Sequence, residues 1–305
     1  MAGNRIEDDV WLLVNPAAGR GRAAGYAAQA KVEFERLGGR HVLETSAAGE
    51  EEPLAASAIE GGCKTLVVVG GDGTVACVAN TILTRRSSCG VAVLPSGTGN
   101  DFAKTLGVRH HTPEEILQLV ARNEVAKIDV GFADGRHFLN SCGFGFDASV
   151  LEASNRVRFL RGDAVYIYSA LTQLFTYRGI DVSANGTPGV KRGNMLMVIV
   201  SNGQFLGGAF KVAPRASVLD GRLDACFFSD AGVIERVKLF AGAMRGTHLE
   251  MPAVTSVKVQ QLTLTFASKP SMEMDGELRP AGSKSVELKC VPRALTVVVA
   301  PGSVR

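Results

Sequence analysis

Up to about Arg122 the chain alternates short apolar runs with longer stretches in which apolar residues recur at helical spacing, the pattern of parallel βαβ units. The runs Val10–Val14, Arg40–Glu44, Thr65–Val69 and Gly90–Leu94 predict buried strands. Between and after them, Arg22–Leu37, Pro53–Glu60, Thr74–Arg86 and Pro113–Arg122 predict helices. Thr112 before Pro113, with acids in the next turn, marks the start of the last helix. The expectation for this half is a doubly wound, mostly parallel α/β sheet, whose ligands gather at the carboxyl ends of the strands.

From about Lys127 the texture changes to strand-like segments with turn punctuation: KIDVGF, HFLNSCGF, IDVSANG, MLMVIVSN, LDACFFSD, VKVQQLTLTF, VELKCV and ALTVVVAP. This predicts a mainly antiparallel sheet or sandwich, interrupted by helices over Ser149–Tyr177 and Gly232–Arg245 and by a loop at Asn185–Gly193. The boundary is expected near Lys127–Gly131, giving domains 1–128 and 129–305, with the last strand free to return to the first domain.

A length of 305 residues suits two domains, and 46% hydrophobic with 21% charged residues is ordinary globular composition. The net charge of +3, from 33 basic and 30 acidic residues, is too small for a general nucleic-acid binder. Six scattered cysteines form no CxxC pair, which suggests a reducing cytosol without structural zinc. The opening stretch MAGNRIEDDVWLLVNP lacks the basic start and long apolar run of a signal peptide, and no apolar run approaches the ~20 residues that span a bilayer.

The chemistry concentrates in the glycine loops. Thr65–Val69 runs into Gly70-Gly71-Asp72-Gly73-Thr74, where adjacent glycines allow close backbone approach and the following helix start offers unpaired N–H groups to an anion. Asp72 inside such a loop makes sense if a cation, most naturally Mg²⁺ on a polyphosphate, is also held; a tight turn with an aspartate cap is the plainer reading. Gly90–Leu94 ends in a second small-residue loop, Pro95-Ser96-Gly97-Thr98-Gly99-Asn100-Asp101-Phe102, and Val10–Val14 ends in a third, Asn15-Pro16-Ala17-Ala18-Gly19. Three loops in one layer point to a single crevice.

A competing pattern is Gly19-Arg20-Gly21-Arg22-Ala23-Ala24, a loose dinucleotide fingerprint with Glu44 beyond it, which would suit an NAD(P)-dependent oxidoreductase. Asn-Pro-Ala-Ala, standing between strand and first glycine, spoils the tight turn that this site needs. A Walker P-loop is absent.

NPAAG, GGDGT and PSGTGNDFA together resemble the catalytic domain of the diacylglycerol kinase superfamily, which also includes sphingosine and ceramide kinases. The resemblance continues through FLNSCGFGFDASV (Phe138–Val150), SNGQFLGGAFKVAPRASVLDGRLDACFF (Ser201–Phe228) and MEMDGE (Met272–Glu277), and so covers nearly the whole chain. NAD kinases share GGDGT, but the later segments look less like theirs. The resemblance implies an NAD-kinase/diacylglycerol-kinase-like α/β domain followed by a β-sandwich, acting as an ATP-dependent lipid kinase.

It further implies that Asn15, Gly19, Thr45, Gly70, Gly71, Asp72, Gly73, Thr74 and Thr98 surround ATP, with Asp72 meeting Mg²⁺ and Asn100 and Asp101 stabilising the loop wall. The family's DGE motif falls on Asp275, Gly276 and Glu277, with Glu277 the expected proton acceptor; from spacing alone, Asp275-Gly276 reads equally as a hairpin turn. In similar proteins the Ser217–Arg222 loop holds a structural Mg²⁺ through one carboxylate and backbone carbonyls, which maps onto Asp220 with Ser217 and Arg222; unaided, the residues read as an Asp-Gly turn. Val75-Ala76-Cys77 departs from the polar continuation usual after GGDGT.

The implied acceptor is a lipid, most simply diacylglycerol converted to phosphatidic acid, with sphingoid base, ceramide or phosphatidylglycerol as alternatives. A non-catalytic nucleotide sensor is the reading from another class. The lipid would enter between the domains from the inner face of the membrane, past Phe138, Phe144, Phe146, Phe205, Leu206 and Phe210, all of which also suit core packing. Arg156–Arg161 mixes basic and apolar residues as a lipid-headgroup contact or a solvated helix face would. Family members are often homodimers, but no interface is identifiable here.

Overall fold

The computed structural model describes residues 5–21, 23–154, 163–186 and 192–304. The chain forms two compact units, Met1–Ile128 with Arg293–Arg305 and Asp129–Pro292. Unit 1 runs through β1 (Val10–Val14), α1 (Ala23–Arg36), β2 (His41–Glu44), α2 (Glu51–Glu60), β3 (Thr65–Gly70), α3 (Asp72–Thr84), β4 (Gly90–Pro95), α4 (Asp101–Thr105) and α5 (Pro113–Ala121). β5 (Val125–Ala133) then carries the chain into unit 2.

In unit 1 the strands lie in the order β2-β1-β3-β4, all parallel. Helices cover such a sheet on both faces, so Leu12–Val14, Leu66–Val69 and Val91–Leu94 are buried on both sides and read as unbroken apolar runs. The chain leaves β1 toward one edge and β3 toward the other, so a crevice opens between their carboxyl ends. α5 starts as anticipated, with Thr112 and Glu115 forming a reciprocal capping box ahead of Pro113. α2 and α3 begin two residues earlier than their periodicity suggested. Pro53 is tolerated in a first turn that needs no N–H, and Gly71 serves as an extended N-cap that leaves Asp72 inside α3.

Unit 2 contains β6 (Arg136–Phe138), β7 (Ser141–Gly145), α6 (Phe146–Ser154), α7 (Asp163–Thr176), β8 (Ile180–Asn185), β9 (Arg192–Ser201), β10 (Leu223–Ser229), α8 (Val233–Arg245), β11 (Val254–Val259), β12 (Gln261–Phe266), β13 (Ser271–Met274), β14 (Glu277–Pro280) and the start of β15 (Ser285–Val298). The path β14-β13-β7-β9-β8-β12-β15 is antiparallel, and β10 with β11 extends the far edge of β9. β10 alternates strictly. Ala225 and Phe227 face a core of strands, while Cys226 and Phe228 face a second core under α6, α7 and α8. Both faces are covered, which is why LDACFF shows no polar alternation.

VELKCV and ALTVVVAP, read as separate strands, are one continuous β15. Its first part pairs with β12, and its end lies parallel to β4 through Val297 and Val91. Arg156–Arg161 and positions 187–191 lie outside the described residues. Among the described residues no helix is long and apolar enough to cross a membrane.

Candidate active site

The loop ends of unit 1 are knitted together by side chains of the predicted motif. Asn15 Nδ2 donates to Thr74 Oγ1 at the start of α3 and to Glu51 Oε1 at the start of α2, both at 2.9 Å, and Asn15 Oδ1 accepts from the Ala17 N–H. The loops after β3 and β4 touch backbone to backbone. A Cβ on Gly97 would stand 2.5 Å from Gly71 Cα, and one on Gly70 would strike Thr74 at 2.6 Å. Asp72 Oδ1 accepts the Phe102 N–H at 3.1 Å, joining the starts of α3 and α4. Asn100, left-handed with φ 51°, turns its amide back onto Gly97, accepting from its N–H at 2.9 Å and donating to its carbonyl at 3.0 Å. Asp101 is buried against Lys104 at 2.6 Å.

Three further residues of the predicted nucleotide set lie on this carboxyl-end layer. Thr45 donates its N–H to Val14 O at 2.9 Å, Gly19 takes φ +61°, and Thr98 is exposed in the loop after β4. Sequence reasoning passed over Ser96, whose buried hydroxyl has no hydrogen-bond partner among the described residues. Its N–H is bound to Gly70 O, so the hydroxyl is pinned beside the glycine loop.

In unit 2 the Asp-Gly pair is both things the sequence allowed. Asp275 (φ 49°) and Gly276 (φ 88°) form the two-residue turn between β13 and β14, with Met274 opposite Glu277. The buried Asp275 carboxylate also accepts three backbone N–H groups, from Leu139 at 2.6 Å, Asn140 at 2.8 Å and Ser141 at 3.2 Å. Burial outweighs these bonds and pushes its pKa up to about 6. Glu277 is different: its side chain is 43% exposed and pairs with Arg279 at 3.0 Å, with Arg136 at 4.0 Å.

Behind the turn lies a buried acid that no sequence pattern singled out. Glu273 on β13 accepts the Gly276 N–H, and burial, with Asp147 as the next cause, holds its carboxyl well above the usual range. Asp147, in the first turn of α6, packs so tightly on Gly143 that a Cβ there would sit 2.0 Å from its Oδ2. Asn202 donates to the carbonyls of Asp129 and Leu139, bracing the same turn from β9's end. The only trace of these residues in the sequence is polar letters inside apolar runs.

The proposed cation loop is occupied by other contacts. Ser217 Oγ accepts the Leu219 N–H, and Asp220 Oδ1 accepts the Arg222 N–H at 3.1 Å. The other Asp220 oxygen pairs with the Lys258 ammonium. Among the described residues no group of three or more His, Cys, Asp or Glu is arranged to hold a metal. A divalent ion wants six or more oxygen ligands, and the one side-chain carboxylate of this turn is here already shared between the Arg222 N–H and an ammonium.

An apolar pocket lies under α6, α7 and α8, lined in part by Phe146, Leu174, Leu206, Phe210, Leu239 and Phe240. Leu196 and Met197, consecutive on β9, both face it. The β9–β10 register slips opposite them and turns two neighbouring side chains to one side. Of the apolar residues singled out in the sequence, Phe146, Leu206 and Phe210 reach this pocket. Phe138 and Phe144 are fully buried in the strand core instead, and Phe205 lies under the Lys211 ammonium.

A family profile described as "Diacylglycerol kinase catalytic domain" matches residues 9–133, and one described as "YegS C-terminal NAD kinase beta sandwich-like domain" matches residues 140–299. The chain belongs to the diacylglycerol kinase family of lipid kinases. It is 25% identical over 268 residues to the diacylglycerol kinase of Bacillus subtilis (strain 168), covering 87% of this chain and 88% of that one. It is 28% identical over 303 residues to a Pseudomonas aeruginosa protein named "Probable lipid kinase YegS-like", covering 97% and 96%. The fold is shared with the crystal structure of a diacylglycerol kinase from Bacillus anthracis str. Sterne, with a TM-score of 0.74, 23% identity and coverage of 97% of this chain and 98% of that one.

Membership in this lipid kinase family removes the oxidoreductase reading, and the structure shows why its fingerprint misled. A short 3-10 turn, Ala18–Gly21, stands where a dinucleotide site needs a tight strand-to-helix turn, and Glu44 is paired with Lys31. The apolar departure after GGDGT is a packing feature of this kinase: Val75 and Ala76 are buried against the core.

Proposed function

We propose that this kinase transfers the γ-phosphate of ATP to the free hydroxyl of diacylglycerol, giving phosphatidic acid. The observation that carries the reading is the rim of unit 1, where the loops after β1, β3 and β4 are tied into one cradle by Asn15, Asp72 and the Gly71–Gly97 contact. The start of α3 is a helix N-terminus, whose first-turn N–H groups suit the β- and γ-phosphates. Mg²⁺ bound with ATP would neutralise charge building on the transferred group, and Asp72 is the acid placed to hold it.

Glu277 takes the proton of the attacking hydroxyl. It is partly exposed, whereas both Asp275 oxygens are engaged by backbone N–H groups, so Asp275 positions the turn and Glu277 acts. The apolar pocket supports an acyl-bearing acceptor, since apolar side chains make up most of its lining. Such an acceptor would place the enzyme at the cytoplasmic face of a membrane.

Labelled ATP presented with diacylglycerol, a sphingoid base, ceramide or phosphatidylglycerol in mixed micelles tests the reading. Phosphatidic acid is the expected product, and label only on another lipid would replace the acceptor. Glu277→Gln and Asp72→Ala should each lower turnover by roughly 10²–10⁴-fold with an unchanged circular dichroism spectrum. Wild-type turnover in both variants would overturn the site.

A further inference from the structure

The loop from Ser217 to Arg222 is where resemblance implies a structural divalent cation, yet a cation of another kind is already there. β10 and β11 pair antiparallel with Asp224 directly opposite Lys258, so backbone register delivers the lysine to this place. Its ammonium pairs with Asp220 and lies 3.5 Å from Asp224 Oδ2, an oxygen with no hydrogen-bond partner among the described residues. The second Asp220 oxygen is taken by the Arg222 N–H. Asp129, 1% exposed, accepts the Gly221 N–H at 2.6 Å on the same turn. Three carboxylates thus converge on one Asp-Gly turn. Charges so placed must be compensated if the turn is to stay folded.

We propose that Lys258 takes the place of the structural metal ion, serving as a built-in counter-ion that lets the Ser217–Arg222 turn fold without a divalent cation. A lysine ammonium is a compact charge with three donors, enough to serve Asp220 and Asp224 together. A metal bound through the Asp220 carboxylate would have to displace it. The inference does not depend on which lipid is phosphorylated.

The test is thermal unfolding of the nucleotide-free enzyme, purified through EDTA and then returned to chelator, millimolar Mg²⁺ or millimolar Ca²⁺, with divalent content measured by mass spectrometry before chelation. The wild type should carry no stoichiometric divalent ion and should unfold at the same temperature in all three buffers. Lys258→Met should unfold roughly 2–4 °C lower in EDTA. The double variant Asp220→Asn/Lys258→Met, which removes both charges, should recover part of that loss. A wild type that loses stability in EDTA and regains it with Mg²⁺ or Ca²⁺, or that is purified with a bound ion, overturns the proposal. So does a Lys258→Met variant as stable as wild type. Should Lys258→Met fail to fold, the wild-type measurements still decide the matter.

Discussion

Glu273 and Asp275 are carboxyl groups whose burial opposes their own ionisation, one behind and one within the turn that presents Glu277. Their folded pKa values lie above the unfolded ones, so they favour folding most below about pH 4. That contribution is lost as pH rises, through about 6 for Asp275 and well above the usual carboxylate range for Glu273. Glu273→Gln keeps an oxygen for the Gly276 N–H and removes the charge. The variant should therefore flatten the decline in melting temperature between pH 5 and pH 8, and match or exceed wild type at the upper end. A steeper decline than wild type, measured by calorimetry across that range, would show the ionised form to be the stabilising one. Gly143 belongs to the same construction. A methyl group there meets Asp147 Oδ2 at 2.0 Å, so Gly143→Ala should cost about 1–3 kcal/mol by denaturant titration.

At the scale of elements, α7 and α8 pack on each other and divide their side chains between two surroundings. Leu174, Leu239 and Phe240 turn inward to the pocket, while Tyr168, Leu171 and Phe175 on α7 and Ile234, Val237 and Met244 on α8 are left in water. Phe175 at 66% and Ile234 at 77% exposure are costly to leave so unless a partner covers them. Under the proposed function that partner would be a lipid bilayer. Phe175→Ser with Ile234→Ser should weaken co-sedimentation with vesicles containing diacylglycerol, while activity on short-chain acceptor dispersed in detergent is retained. Undiminished vesicle binding would send the search to another face. The helical stretches themselves were legible, although the span read as one insertion over Ser149–Tyr177 holds two helices, α6 and α7. Which apolar stripe faces the pocket and which faces solvent was not, because both stripes look alike until a neighbour covers one of them.

For the molecule as a whole, β5 and β15 carry the chain between units, and the C-terminal run Arg293–Arg305 belongs to unit 1. Leu295 and Val297 are buried, Val297 pairs with Val91, and Val299 donates its N–H to Glu124 O. Truncation after Pro292 should therefore destabilise the nucleotide-binding unit although every loop motif remains. The expected result is a lower melting temperature and loss of ATP-dependent stabilisation; an unaltered response to ATP would mean that unit 1 is complete without the strand.

Much of this enzyme was readable before any coordinates. Parallel strands buried on both faces announce themselves as apolar runs, glycine loops mark where a backbone must come close to something, and motif order along the chain carried the family. What remained was pairing between residues distant in sequence: Glu273 beside Asp147, Asp72 on the Phe102 N–H, Lys258 opposite Asp224. Local sequence determines which backbone conformations are cheap and which side chains avoid water, and those are properties of neighbours along the chain. Whether an acid ionises, or a cation site needs an ion, depends on what strand register sets against it, and only the folded chain decides that.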